Sequence, residues 1–249
     1  MKIRRIVVGL DTEAHSRPAL AAAAALAGEL DAELEALFVE SAEMHDLARL
    51  PFAREMGFPS AAMRPIDTAA LERALEAHAR AARRALTALA QPRSLRWSFR
   101  IARGTVPDEL LAASGNADLT VVGVARWSPG DLRLARDAPT TLLVLPQSGR
   151  FRGPLAAICP VAVPPEHAIG LVASLATAVG DGFTILVVGD DLAVTGSWCE
   201  KAGELLRGHA SRGKLEIVRD SQPEALQAAL ERLAPRAVAI IAPPIPAQH

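Results

Sequence analysis

Residues 118–146 read DLTVVGVARWSPGDLRLARDAPTTLLVLP. The two ends, DLTVVGV and TTLLVLP, are apolar runs rich in β-branched residues and without alternation. That pattern predicts strands buried on both faces, as in a parallel sheet covered by helices. Between them lie a loop of mixed chemistry and one or two helical turns. Gly123 closes the first strand, where a glycine-rich phosphate loop would open. Instead Val124, Ala125, Arg126 and Trp127 follow, and only Gly130 comes after. The stretch decides the fold and leaves open whether a nucleotide site is present or lost.

Working outward, Ile6–Leu10 (IVVGL) is another non-alternating run, ended by Asp11. Ser16 is placed to cap the next helix, with Pro18 in its first turn. The helix runs through ALAAAAALAGEL, and residues 32–40 (AELEALFVE) form the second strand, completing a β-α-β unit. Residues 41–66 carry three prolines and a short helical patch at 42–50. A connection of that length is usually functional or disordered, and Leu47, Leu50, Phe52, Met56 and Phe58 favour an ordered lid.

Asp67 caps a long helix with Leu71, Leu75, His78, Ala82, Leu86 and Leu89 on one stripe. His78 there reads as a packed or boundary residue. SLRWSFRIARG alternates cleanly, which places residues 95–101 at a sheet edge whose arginines discourage strand pairing. Thr105 and Asp108 form a capping-box-like helix start. The order β-α-β-α-β-α-β-(short α)-β predicts an α/β fold with a doubly wound parallel sheet.

QSGRFRGP (147–154) reads as a linker, after which the rhythm recurs more weakly. Strands are expected at LAAICPVAV, FTILVVGD, KLEIVRD and AVAIIAP, and helices at Pro165–Val179, Ser197–His209 and Pro223–Leu233, the last capped by Ser221. The second half repeats the first without its last strand, which internal duplication explains. Two units follow: 1–147, and a shorter repeat at 154–249 lacking the fifth strand.

Half of the 249 residues are hydrophobic and the formal net charge is −1. No global basic field holds nucleic acid or an anionic membrane, so neither is expected as a partner. Cys159 and Cys199 are too few for a disulfide framework and too far apart for a local metal clip; no metal is expected. Reduced thiols, and an N-terminal apolar run that stops at Asp11, point to the cytoplasm.

The segments IRRIVVGLDTEAHSRPALAAAAALAGELDAELEALFVE, RGTVPDELLAASGNADLTVVGV and APTTLLVLP resemble the universal stress protein family, in tandem. The resemblance covers most of residues 3–147 and, weakly, 154–242. It implies strand order 3-2-1-4-5 in the first half, and a fifth strand that often pairs across a dimer. It also implies, in ATP-binding members, an aspartate at the end of the first strand, matched by Asp11. A Gly-x-x-Gly pair followed by Gly-Ser or Gly-Thr then cradles the phosphates. Gly123 matches the first glycine, Arg126 stands at the second, and the Gly-Ser position falls near Ser128-Pro129. Pro129 would remove an N–H that the cradle needs. In the second half Pro160–Pro164 replaces the aspartate, and AIIAPP has no phosphate loop.

The leading expectation is therefore a regulatory or scaffold protein acting through dimer and partner contacts, as a homodimer or a tandem pseudo-dimer, with no cofactor. The alternative is a module binding ATP, AMP or another anion at the strand C-termini, beside Asp11, Glu40, Gly123, Arg126 and Ser128. An enzyme is not expected: there is no G-x-S-x-G, H-E-x-x-H, P-loop lysine or CxxC. Asp11 with His15 reads as a turn cap, Cys199 as a partly buried inert thiol beside Trp198, and TTLLVLP as a subunit or inter-domain contact.

Overall fold

The computed structural model describes residues 3–50, 52–57, 62–125, 139–146, 154–179, 182–208, 213–218 and 223–243. Phe58, Arg126, Trp127, Ser128, Ser221 and most of the expected linker lie outside the described residues. In the first half the elements are β1 (Arg5–Leu10), α1 (Ser16–Leu30), β2 (Glu33–Ser41) and α2 (Ala42–Arg49). After these come β3 (Arg54–Gly57), β4 (Ala62–Pro65), α3 (Thr68–Ala90), β5 (Trp97–Gly104), α4 (Val106–Ser114), β6 (Leu119–Val124) and β7 (Thr141–Pro146). The second half has β8 (Leu155–Pro160), α5 (Pro165–Val179), β9 (Phe183–Val188), α6 (Leu192–Gly208), β10 (Gly213–Val218), α7 (Pro223–Leu233) and β11 (Ala237–Ile240).

One nine-stranded sheet runs through both halves, in the order β10-β9-β8-β11-β7-β6-β1-β2-β5, and β3–β4 pair apart from it. The first half has the expected 3-2-1-4-5 order, with β5 at the edge. The halves join at β7, which pairs parallel with β6 and antiparallel with β11. The backbone N–H of Ala242 donates to Thr141 Oγ1 at 3.4 Å, tying the end of the second half to the start of β7. The expected contact role of TTLLVLP is thus filled inside the chain. Because β11 is parallel to β8, the second half's strands run opposite to the first half's. Their C-terminal ends therefore emerge at opposite margins of the sheet.

Each face of the sheet has one core that crosses the junction. On one side Ile6, Leu20, Phe38, Leu86 and Leu143 are continuous with Leu155, Leu175, Ile185 and Trp198 under α1, α3, α5 and α6. On the other, Val7, Leu37, Leu110 and Val144 are continuous with Ile158, Leu226, Leu230 and Val238 under α4 and α7. Alanines at 19, 22, 23, 24 and 27 let α1 lie close on the sheet.

Three expectations need correction. Ser16 does not cap α1: the N-cap is His15, without a side-chain bond, because the Ser16 hydroxyl is drawn to Asp11. Helix α6 starts at Leu192 rather than at Ser197, because Asp191 Oδ1 accepts from the N–H groups of Ala193 and Val194 and caps it early. The described residues of 41–66 are ordered, as expected, but are not packed down as a lid. They form α2 and the hairpin β3–β4, which leave Leu47, Leu50, Phe52 and Met56 exposed. A two-stranded hairpin is too small to bury its own apolar side chains.

Cys159 is buried on β8, and burial pushes its thiol pKa up to about 12. Thiolate is the reactive form, so a maleimide at pH 8 should leave Cys159 unlabelled in the folded chain and label it once denatured. Mass spectrometry of the labelled peptides reads the result.

Candidate functional site

The strand-end turn of the first half is built around Asp11. Its Oδ1 accepts from Ser16 Oγ at 2.5 Å and from the Glu13 N–H at 2.8 Å, while its own N–H donates to Ser16 Oγ at 2.9 Å. Its Oδ2 lies 3.4 Å from His15 Nε2. One carboxylate oxygen is thus bonded twice within its own turn, as in an aspartate closing an Asx-type turn. The expected turn-capping role of Asp11 is observed.

Gly123 sits opposite that turn. A Cβ there would stand 2.5 Å from the His15 carbonyl oxygen and 3.1 Å from Ala19 Cβ. Its missing side chain is therefore explained by the close approach of α1. Glu40 is mostly buried, and its Oε2 lies 3.5 Å from Arg103 Nη2 on the neighbouring β5. Of the five candidate residues, Asp11 and Gly123 meet across the β1–α1 turn, and Glu40 is tied to the edge strand. Arg126 and Ser128 lie outside the described residues.

Beside Asp11 is a cavity of about 360 Å³ between α1 and α3. Leu10, Leu20, Phe38, Ala82 and Ala85 form its apolar wall, and Asp11, Glu13, Arg17 and His78 contribute polar groups. His78 is exposed rather than packed, with Nδ1 2.9 Å from the Ala74 carbonyl oxygen. Sequence reading placed Ser16 as a cap and missed its bond to Asp11. It also missed the cavity, which arises because α3 presents alanines to α1.

A second groove, of about 720 Å³, lies between α2, the hairpin and the start of α3. Met44, Leu47, Ile66 and Leu71 are among its lining residues.

In the second half the corresponding strand ends are filled by protein. Trp198 Nε1 donates to the Val163 carbonyl at 2.7 Å, and a Cβ on Gly189 would stand 2.7 Å from Val161 Cγ1. Burial raises the pKa of Cys199, next to Trp198, which keeps it a protonated thiol rather than a nucleophile. Among the described residues no group of three His, Cys, Asp or Glu side chains is placed to hold a metal ion. Nor is any helix among them long and apolar enough to cross a membrane.

Neither a family model nor a curated protein matches the sequence. Solved structures do match. A universal stress protein from Archaeoglobus fulgidus aligns over 96% of each chain with a TM-score of 0.63 at 11% identity. The chain has the universal stress protein fold. A Pseudomonas aeruginosa structure described as a candidate universal stress protein covers 94% of this chain and 80% of its own, with a TM-score of 0.52 and 15% identity. A protein of the universal stress family from Burkholderia pseudomallei aligns 97% of its length with 58% of this chain, at 23% identity and a TM-score of 0.43.

If Gly123 serves α1 packing, Gly123→Ala must push the helix off the sheet. Urea denaturation should show a loss of about 1–3 kcal/mol, the usual cost of overpacking.

Proposed function

We propose that this protein, with its universal stress fold, is a non-catalytic regulatory platform that works through protein contacts and without a bound nucleotide. The observation that carries the reading is the Asp11 turn. The residue that the family resemblance assigns to the adenine side has both carboxylate oxygens engaged by Ser16, Glu13 and His15. A nucleotide drawing on Oδ1 would compete with the Ser16 and Glu13 bonds, and a donor displaced without a new partner costs about 1–3 kcal/mol. The packed strand ends of the second half support the same reading.

The pairing of β7 on both edges bears on assembly. The strand that the family resemblance implies often pairs across a dimer is occupied within one chain, so the pseudo-dimer replaces a homodimer built on it. The protein partner is a further chain that docks on the outer surface. A cytoplasmic setting, with both thiols reduced, completes the proposal.

The cavity between α1 and α3 favours one second reading, a module for a small, largely apolar ligand bearing one polar group. Its volume lies within the usual range for such sites.

Thermal unfolding with millimolar ATP or AMP and magnesium separates nucleotide binding from the platform reading. A ligand at one hundred times its dissociation constant adds about 2.7 kcal/mol, which for a chain of this size raises Tm by on the order of 5 °C. The platform reading predicts an unchanged Tm. A clear rise would show that the folded chain binds a nucleotide and would overturn the platform reading. Its abolition by Ala85→Leu, which fills the cavity, would place the ligand between α1 and α3.

A further inference from the structure

Between Glu76 and Asp108 the chain carries seven arginines, from Arg80 to Arg103, and no lysine, aspartate or glutamate, although the whole molecule has a net charge of −1. Arg80, Arg83 and Arg84 lie on the C-terminal half of α3, Arg93 and Arg96 on the connection, and Arg100 and Arg103 on the edge strand β5. Charged side chains are one way of keeping an edge unpaired. A run of this length made of arginine alone, the side chain whose planar fork matches carboxylates, has the composition of an anion-recognition surface.

Two of these arginines are held in place at the open edge. Arg100 Nε lies 3.2 Å from Glu35 Oε1, and Arg103 Nη2 lies 3.5 Å from Glu40 Oε2. The two glutamates are only 15% and 14% exposed, whereas the arginine side chains are 49% and 54% exposed. Each guanidinium thus uses one nitrogen on its anchor and turns the rest of its five-donor fork to solvent. Since successive side chains of a strand alternate, Arg100 and Arg103 lie on opposite faces of β5.

The backbone between them is open as well. The N–H of Leu34 donates to the Arg96 carbonyl at 3.0 Å, and β5 is parallel to β2. In such a ladder the even-numbered residues of β5 face β2, so the N–H and C=O of Phe99, Ile101 and Arg103 point away from the sheet. Ile101 is 52% exposed there.

We propose that the β5 edge takes up an extended acidic segment of a partner protein as a tenth strand. Main-chain bonds to Ile101 and Arg103 hold it, and adjacent carboxylates reach Arg103 on one face and Arg100 on the other. Nucleic acid is the poorer match, because its phosphates would need the arginines along one face. The inference deepens the platform reading by naming where and what it binds.

The test is fluorescence anisotropy of the 249-residue chain with a labelled peptide of valines and threonines carrying two adjacent central glutamates. Binding is expected, weakening as salt screens the charges. Arg100→Gln should lower affinity about tenfold, since a charge-assisted contact is lost while Glu35 keeps Arg5. Ile101→Pro should lower it similarly by deleting an outward N–H at a position where an edge strand tolerates proline. Thermal unfolding of each variant confirms that it is folded. No binding, full affinity in folded Ile101→Pro, or preference for oligouridylate would overturn the proposal. Because the nucleotide-dependent Tm does not depend on the peptide, failure at the β5 edge is distinguishable from failure of the platform reading.

Discussion

The architecture depends on one strand having two neighbours. β7 completes the parallel sheet of the first half against β6 and, on its other edge, pairs antiparallel with β11. The second half has no fifth strand among its described residues, and β7 occupies the place that such a strand would hold. Without that pairing β11 would be an open edge of apolar backbone, and the cores on both faces would stop at the junction. With it, Leu143 and Leu145 pack into one core and Val144 into the other, so the halves share their hydrophobic burial.

The reversal of direction at β7 has a functional consequence. Ligand sites of open α/β sheets lie at the C-terminal ends of strands, so the chain has two such margins facing opposite ways. Among the described residues, local contacts shape both, though differently. In the first half a polar turn is closed on itself through Asp11, Ser16 and His15, and α1 lies against Gly123. In the second, an indole and a valine fill the corresponding space. Among the described residues, the surfaces available to other molecules include the cavity between α1 and α3, the exposed apolar surface of α2 and the hairpin, and the arginine-bearing β5 edge.

Much of this was legible in the sequence. Non-alternating runs such as TVVGV and LLVL announced buried strands, and the strict alternation of Trp97, Ser98, Phe99 and Arg100 announced an edge, because these patterns follow directly from which faces are covered. The contact role of residues 140–146 followed from the missing fifth strand. Its antiparallel sense did not, since a two-sided apolar strand reads the same in either direction. The β3–β4 hairpin was hidden by prolines and by methionines that stay exposed. At the site, Asp11 and Gly123 were expected to bind a ligand and the structure brings them together at the β1–α1 turn, but sequence spacing cannot tell a carboxylate that waits for a ligand from one already bonded to Ser16. That distinction is made by a few ångströms of turn geometry.

Hydrogen exchange read by mass spectrometry at β7 and β11 tests the shared strand most directly. The account predicts that the amides of 141–146 and 237–240 exchange as slowly as those of β1 and β6, far more slowly than the edges β5 and β10, and independently of protein concentration. Rapid exchange at 237–240, or protection that fades on dilution, would mean that β11 is not paired with β7 within one chain. The self-contained platform would then be wrong.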